Sequence, residues 1–117
     1  MNVKRFLRWV LAIQAMVFVN SAFAEEYLAL ANITFIRSFA TWTLVGVASP
    51  PATTCDSWGE QFRFDHTTID GKVLLTQMLT AQTANRAVDL WFFPSSAPGT
   101  TMCATAAMGL VTMVRTR

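Results

Sequence analysis

The N-terminal segment decides how much of this chain is available to form a folded domain. Basic residues cluster in its first eight positions, residues 9–19 are apolar except for one Gln, and residues 22–24 read Ala-Phe-Ala. This order is typical of a secretory signal peptide with an A-x-A cleavage site. The apolar run would cover only about half of a bilayer's hydrocarbon core, which disfavours a transmembrane anchor. We predict a signal peptide with a helical apolar part over residues 1–24, and one exported domain, periplasmic or extracellular, over residues 25–117.

The composition of the chain excludes several classes of protein. Hydrophobic residues make up 53% and charged residues 14%, against about 25% charged residues in an average soluble protein, so the chain is not intrinsically disordered. Three of its nine basic residues belong to the predicted signal peptide, which leaves six basic and seven acidic residues in the exported part. Such a near-neutral surface attracts neither nucleic acid nor anionic lipid. We therefore expect no nucleic-acid partner and no membrane contact after signal cleavage.

Two cysteines, Cys55 and Cys103, remain in the exported part. In an oxidising compartment such a pair usually forms a disulfide. Closing an interval of 48 residues contributes about 4 kcal/mol in the chain-entropy treatment. A zinc site needs four ligands, whereas this chain offers two isolated thiols and one histidine, His66. We predict the Cys55–Cys103 disulfide, no metal site and no cofactor.

Alternating and β-branched segments predict five strands in the exported part. They cover residues 31–39, 41–48, 58–65, 87–93 and 104–114. The first two are either separate or continuous through a bend near residues 37–38. In the third, Trp58, Phe62 and Phe64 share one parity and predict an aromatic inner face, and Trp42 is likewise assigned to the core.

Between the third and fourth strands the hydrophobic period changes to that of a helix. Four apolar residues recur there on one helical face: Leu74, Leu75, Met78 and Leu79. Thr67, followed three residues later by Asp70, resembles a capping box. Asn85 tolerates the left-handed conformation that ends helices, so we predict one helix from about Ile69 to residues 84–86.

The resulting order, β-β-β-α-β-β, is that of an OB-fold, a small five-stranded barrel. The helix would close one end of the barrel with its apolar face. An open α+β sheet with the helix on one face is the alternative. In either fold the disulfide would join the loop before the third strand to the loop before the fifth.

Part of the exported chain resembles known secreted proteins. Cys55, residues 62–65, residues 71–81 and Cys103 together look like a pattern found in small secreted bacterial proteins. Residues 69–92 are distantly similar to the B subunits of subtilase-type AB5 toxins. The resemblance implies an exported, disulfide-containing OB-fold that assembles as a pentamer and binds sialylated glycans. No glycan-binding motif matches residue by residue, so the resemblance implies no site residues.

Catalytic signatures are weak in this sequence. His66 is the single histidine, and Asp65 beside it would point to the opposite side of a strand. No serine lies in a G-x-S-x-G elbow, and the phosphate-loop, H-E-x-x-H and EF-hand patterns do not occur. We therefore expect a protein that is not an enzyme.

The predicted strand 87–93 carries the most informative side chains. Its even-numbered positions are apolar and suffice for an inner face, which leaves Asp89, Trp91 and Phe93 on the other face. Large aromatic side chains beside a carboxylate can stack on sugar rings or be buried against another subunit, and a third option is that the helix or a loop covers them.

Two hypotheses of function follow. The first is a secreted, non-enzymatic module that binds a glycan or a surface protein, with assembly into a homo-oligomer. The alternative is a periplasmic structural or inhibitor-type protein whose partner is another protein.

Overall fold

The computed structural model describes residues 24–117, so the predicted signal peptide lies, apart from Ala24, outside the described residues. Its elements follow in chain order: β1 (Glu26–Ala31), β2 (Ile33–Phe39), β3 (Trp42–Val47), β4 (Phe62–Asp65), α1 (Ile69–Thr83), β5 (Val88–Phe93), a 3-10 helix (Thr105–Ala107) and β6 (Gly109–Thr116). This part of the chain is mainly β with one α-helix, as predicted.

The strands form one six-stranded sheet with the hydrogen-bonded order β1-β5-β6-β4-β3-β2. Every neighbouring pair is antiparallel except β4 and β6, which run parallel. The edge strands β1 and β2 do not pair with each other, so the sheet is not closed. The prediction of a five-stranded barrel is therefore wrong in its number of strands, and the sheet does not close into a barrel.

The additional strand is β1, a segment for which the sequence predicted no structure. It pairs with β5, but its register shifts near its end, where Leu30 is left-handed with φ 53°. This irregularity interrupts the alternation of side chains by which a strand is recognised in a sequence. Asn32 separates β1 from β2. Of the two alternatives for the first two predicted strands, the structure has separate strands, because β2 runs through residues 37–38 and the break before β3 comes at Ala40, with φ 52°.

The predicted strand 58–65 is shortened to β4 because a tight turn precedes it. Ser57 and Glu60 exchange both backbone N–H···O bonds, at 3.0 and 2.9 Å. Between them Trp58 and Gly59 have φ 57° and 83°. Trp58 is 78% exposed, so its assignment to the core is wrong.

The main hydrophobic core combines side chains of the sheet with one face of α1. Phe62 and Phe92 pack edge to face in it, with ring centroids 5.0 Å apart. The buried residues of α1 follow the helical period: Gly71, Leu74, Met78 and Ala81. The predicted apolar face is thus correct at Leu74 and Met78, whereas Leu79 is exposed.

Both ends of α1 are set by local sequence. The Thr68 hydroxyl accepts a hydrogen bond from the Gly71 N–H at 2.9 Å, which is an N-cap one residue after the predicted one. At the other end Asn85 is left-handed with φ 53°, and the Arg86 N–H donates to the Ala81 carbonyl at 2.9 Å. This is a Schellman motif, and it confirms the predicted end of the helix.

A smaller apolar cluster lies on the opposite face of β3. Leu44 and Val45 are consecutive, so their side chains point to opposite faces, and Val45 belongs to the main core. Leu44 packs with Cys55, and Cys103 and the half-buried Trp42 join them. The Cys55–Cys103 disulfide, with Cα atoms 6.2 Å apart, joins the loop before β4 to the segment before β6. Both faces of β3 are therefore covered.

Candidate binding surface

Strand β5 carries the three residues predicted to form a binding or oligomer surface. Its even-numbered positions are buried, as predicted: Val88, Leu90 and Phe92. On the other face Trp91 is half-buried and Phe93 is 38% exposed, but Asp89 is fully buried. Asp89 therefore lies beneath the surface, and its carboxylate does not flank the two rings there.

Trp91 belongs to a row of side chains that crosses three strands. Its register partners are Tyr27 of β1 on one side and Met113 of β6 on the other, and such partners share a face of the sheet. The rings of Tyr27 and Trp91 lie 4.8 Å apart. Tyr27 is 47% and Met113 48% exposed. We call Tyr27, Trp91 and Met113 the outer row.

The buried carboxylate of Asp89 is held by three donor residues from two segments, β1 and the C-terminal end of β6. The Leu30 N–H donates to Oδ1 at 3.0 Å. The Arg115 side chain donates from Nε and Nη2 to Oδ2 at 2.9 and 2.6 Å, and Arg117 Nε lies 3.0 Å from Oδ1. The Leu30 N–H, followed by the two guanidinium groups, lowers the pKa of Asp89 well below its usual range, although burial opposes this. Asp89 is therefore ionised, and both of its oxygens are occupied.

Arg115 links this ion-pair cluster to the outer row. Its Nη2 donates to the Tyr27 hydroxyl at 3.3 Å, and its guanidinium carbon lies 5.5 Å from the centre of the Trp91 ring, within the range of a cation–π contact. The side chains of Arg115 and Arg117 stay about half exposed while that of Asp89 is buried. The surface beside the outer row therefore presents two cations over one buried anion, with their positions fixed.

A groove between α1 and β6 adjoins the outer row at Met113. Its volume is about 390 Å³, and Asp70 and Gln77 of α1 and Thr112 of β6 line it with polar groups. The Thr112 hydroxyl donates to the Trp91 carbonyl at 3.2 Å. Hydrogen-bonding groups thus stand next to the apolar side chains of the row.

Sequence reasoning missed Tyr27, Met113 and the two arginines. Tyr27 was missed because β1 was not predicted, and register across strands is not a local property. The sequence does carry a signal for the other three, because Met113, Arg115 and Arg117 are alternate residues and would share one face of a strand. The two arginines were missed because the predicted strand ended at residue 114.

The groups considered for catalysis have structural contacts. His66 Nδ1 lies 3.0 Å from the hydroxyl of the buried Thr43. The Asp65 carboxylate accepts hydrogen bonds from the hydroxyl and backbone N–H of Thr67 at 2.6 and 2.8 Å, and these bonds lower the pKa of Asp65. Both contacts support the turn between β4 and α1.

Two kinds of feature are absent from residues 24–117. Within this range no three His, Cys, Asp or Glu side chains cluster closely enough to hold a metal ion. No helix of the same range combines the length and apolar character needed to cross a membrane.

Comparison with protein-family models found no matching family, and comparisons with curated proteins and with solved structures found no similar chain. The resemblance to toxin B subunits therefore stays a prediction.

Proposed function

We propose that this protein is an exported, non-enzymatic module that binds a glycan on the outer face of β1, β5 and β6. The observation that carries the proposal is the outer row, in which the half-buried Trp91 lies in register between the more exposed Tyr27 and Met113 on one face. Exposed apolar side chains grouped in this way mark interaction sites. Sugar rings have apolar faces that suit such a platform.

Polar groups beside the row fit the hydroxyl groups of a sugar. Binding sites typically combine an apolar lining with a few fixed polar groups. Arg115 and Arg117 offer donors from exposed guanidinium groups, while Asp70 and Gln77 in the adjoining groove offer acceptors and a further donor. Asp89 acts in this proposal as a positioning residue for the arginines.

An OB-like fold and export belong to the same proposal. The two edge strands β1 and β2 are consecutive in the chain, with Asn32 between them. Taken as two halves of one bent strand, they reduce the order of the sheet to the five-strand order of an OB-fold. The disulfide supports folding in an oxidising compartment.

Another protein, including a second copy of this chain, is the alternative ligand. It is favoured by the composition of the outer row, because Trp, Tyr, Met and Arg are enriched at protein interfaces.

The test is a glycan array probed with the disulfide-bonded protein and with a double variant, Tyr27→Ala with Met113→Ala. We expect binding to a defined glycan that weakens at least about tenfold in the double variant, the scale of a lost anchor. Phe39→Ser, at an exposed aromatic residue on β2, is the matched control and should bind like the parent protein.

Failure of the parent protein to bind any glycan, or equal binding by the double variant, would contradict the proposal. A native mass above that of the monomer that falls in the double variant would favour the protein interface instead.

A further inference from the structure

The turn before β4 displays the most exposed tryptophan of the described residues on a rigid support. Trp58 is 78% exposed and occupies the first position of a two-residue hairpin turn closed by the bonds between Ser57 and Glu60. Trp58 and Gly59 are both left-handed, a conformation that suits Asn-Gly in such turns and is unfavourable for a bulky side chain. A residue that destabilises its own turn and packs little against the protein is a candidate for function.

One contact within this turn and two contacts to the neighbouring strands hold it in place. Asp56 Oδ1 accepts a hydrogen bond from the Gly59 N–H at 3.0 Å. The Gly59 carbonyl lies so close to Gly46 of β3 that a Cβ atom there would be 2.0 Å from its oxygen. The buried Glu60 carboxylate accepts two hydrogen bonds from Arg37, at 2.7 and 2.9 Å. The backbone under the indole is therefore preorganised.

A second exposed apolar side chain lies on the neighbouring segment. Met102 is 70% exposed and also left-handed, with φ 57°. Its N–H donates to the Asp56 carbonyl at 3.1 Å, and the Asp56 N–H donates to the Thr100 carbonyl at 2.9 Å. The disulfide lies next to these bonds, since Cys55 directly precedes Asp56 and Cys103 directly follows Met102. We call residues 56–60 and 100–102 together the Trp58 tip.

The charges of the tip decide between its conceivable partners. Asp56 is exposed, Glu60 is neutralised by Arg37, and the tip contains no Lys or Arg. This charge pattern disfavours nucleic acid and anionic lipid surfaces, which bind through basic residues.

We propose that the Trp58 tip docks into an apolar pocket with a Lys or Arg at its rim on a partner protein. The indole would fill the pocket, and Asp56 would pair with the basic rim. Trp is one of the residue types enriched among anchors at protein interfaces, and a preorganised turn loses less conformational entropy on binding. The tip shares no residue with the outer row, so the proposal is independent of glycan binding.

The first experiment separates function from stability with Trp58→Asn. Asn-Gly is the preferred pair for this turn, so the variant should melt at or above the temperature of the parent protein. A clear fall in melting temperature would show that the indole serves the fold and would overturn the proposal.

The second experiment places p-benzoylphenylalanine at position 58 of the full disulfide-bonded protein and irradiates it in extract from the producing cells. We expect cross-links to one protein, at residues lining an apolar pocket with a Lys or Arg at its rim. With that protein purified, Trp58→Asn should weaken binding at least tenfold, Asp56→Asn should reduce its salt dependence, and Met113→Ala should leave it unchanged. Cross-links spread over many proteins, attachment to phosphatidylcholine vesicles or glycans instead, or unchanged binding by Trp58→Asn would overturn the proposal.

Discussion

Replacing Gly46 by Ala tests whether β3 and the turn before β4 are packed as closely as described. The new Cβ atom would lie 2.0 Å from the Gly59 carbonyl oxygen and 3.3 Å from the Cβ atom of Phe35. Because the first distance is far below van der Waals contact, the turn must move by about 1 Å or more. Overpacking of this kind costs about 1–3 kcal/mol.

The displaced turn would also weaken the paired bonds between Ser57 and Glu60, each of which contributes about 1 kcal/mol. A total of about 3 kcal/mol corresponds to a fall in melting temperature of roughly 12–24 °C for a domain of this size. Thermal unfolding followed by circular dichroism measures this fall directly.

Gly99→Ala provides the control. Gly99 has φ 76° with no atom near its would-be Cβ position, so Ala there adds backbone strain of about 1–2 kcal/mol without a clash. We expect Gly46→Ala to be the more destabilising of the two. If it melted within about 2 °C of the parent protein, the close seating of the turn on β3 would be refuted.

Two further predictions concern covalent and ionic links. Replacing Cys55 and Cys103 together by Ala removes the closure of a 48-residue interval and should lower the free energy of unfolding by about 4 kcal/mol; equal urea midpoints for the two proteins would contradict this. The pKa of Asp89 is lowered in the folded protein, most strongly by the Leu30 N–H. Its ionised form therefore stabilises the fold above the pKa of about 3.9 that Asp has in an unfolded chain. This contribution to stability is lost as the pH falls. Asp89→Asn should therefore be clearly less stable than the parent at pH 7, with a difference in urea midpoint that shrinks below about pH 4, and a constant difference would count against the ion-pair cluster.

The sequence by itself determined the features that depend on neighbouring residues. Alternation placed Val88, Leu90 and Phe92 on a buried face of β5, because a strand's side chains alternate whatever it pairs with. The end of α1 followed from Asn85, since few side chains tolerate left-handed backbone. A mainly β domain with one helix followed from the same local periods.

Tertiary structure alone decided the features that depend on distant partners. Parity placed Asp89 on the outer face of β5, but its burial results from Arg115, Arg117 and the N–H of Leu30, which reach it from two other strands. Trp58 fits an alternating strand as well as a turn, and the turn is seated against Gly46, 12 residues earlier. Strand pairing and close backbone contact join residues far apart in the chain, so no local period could reveal the surface on which the proposed function depends.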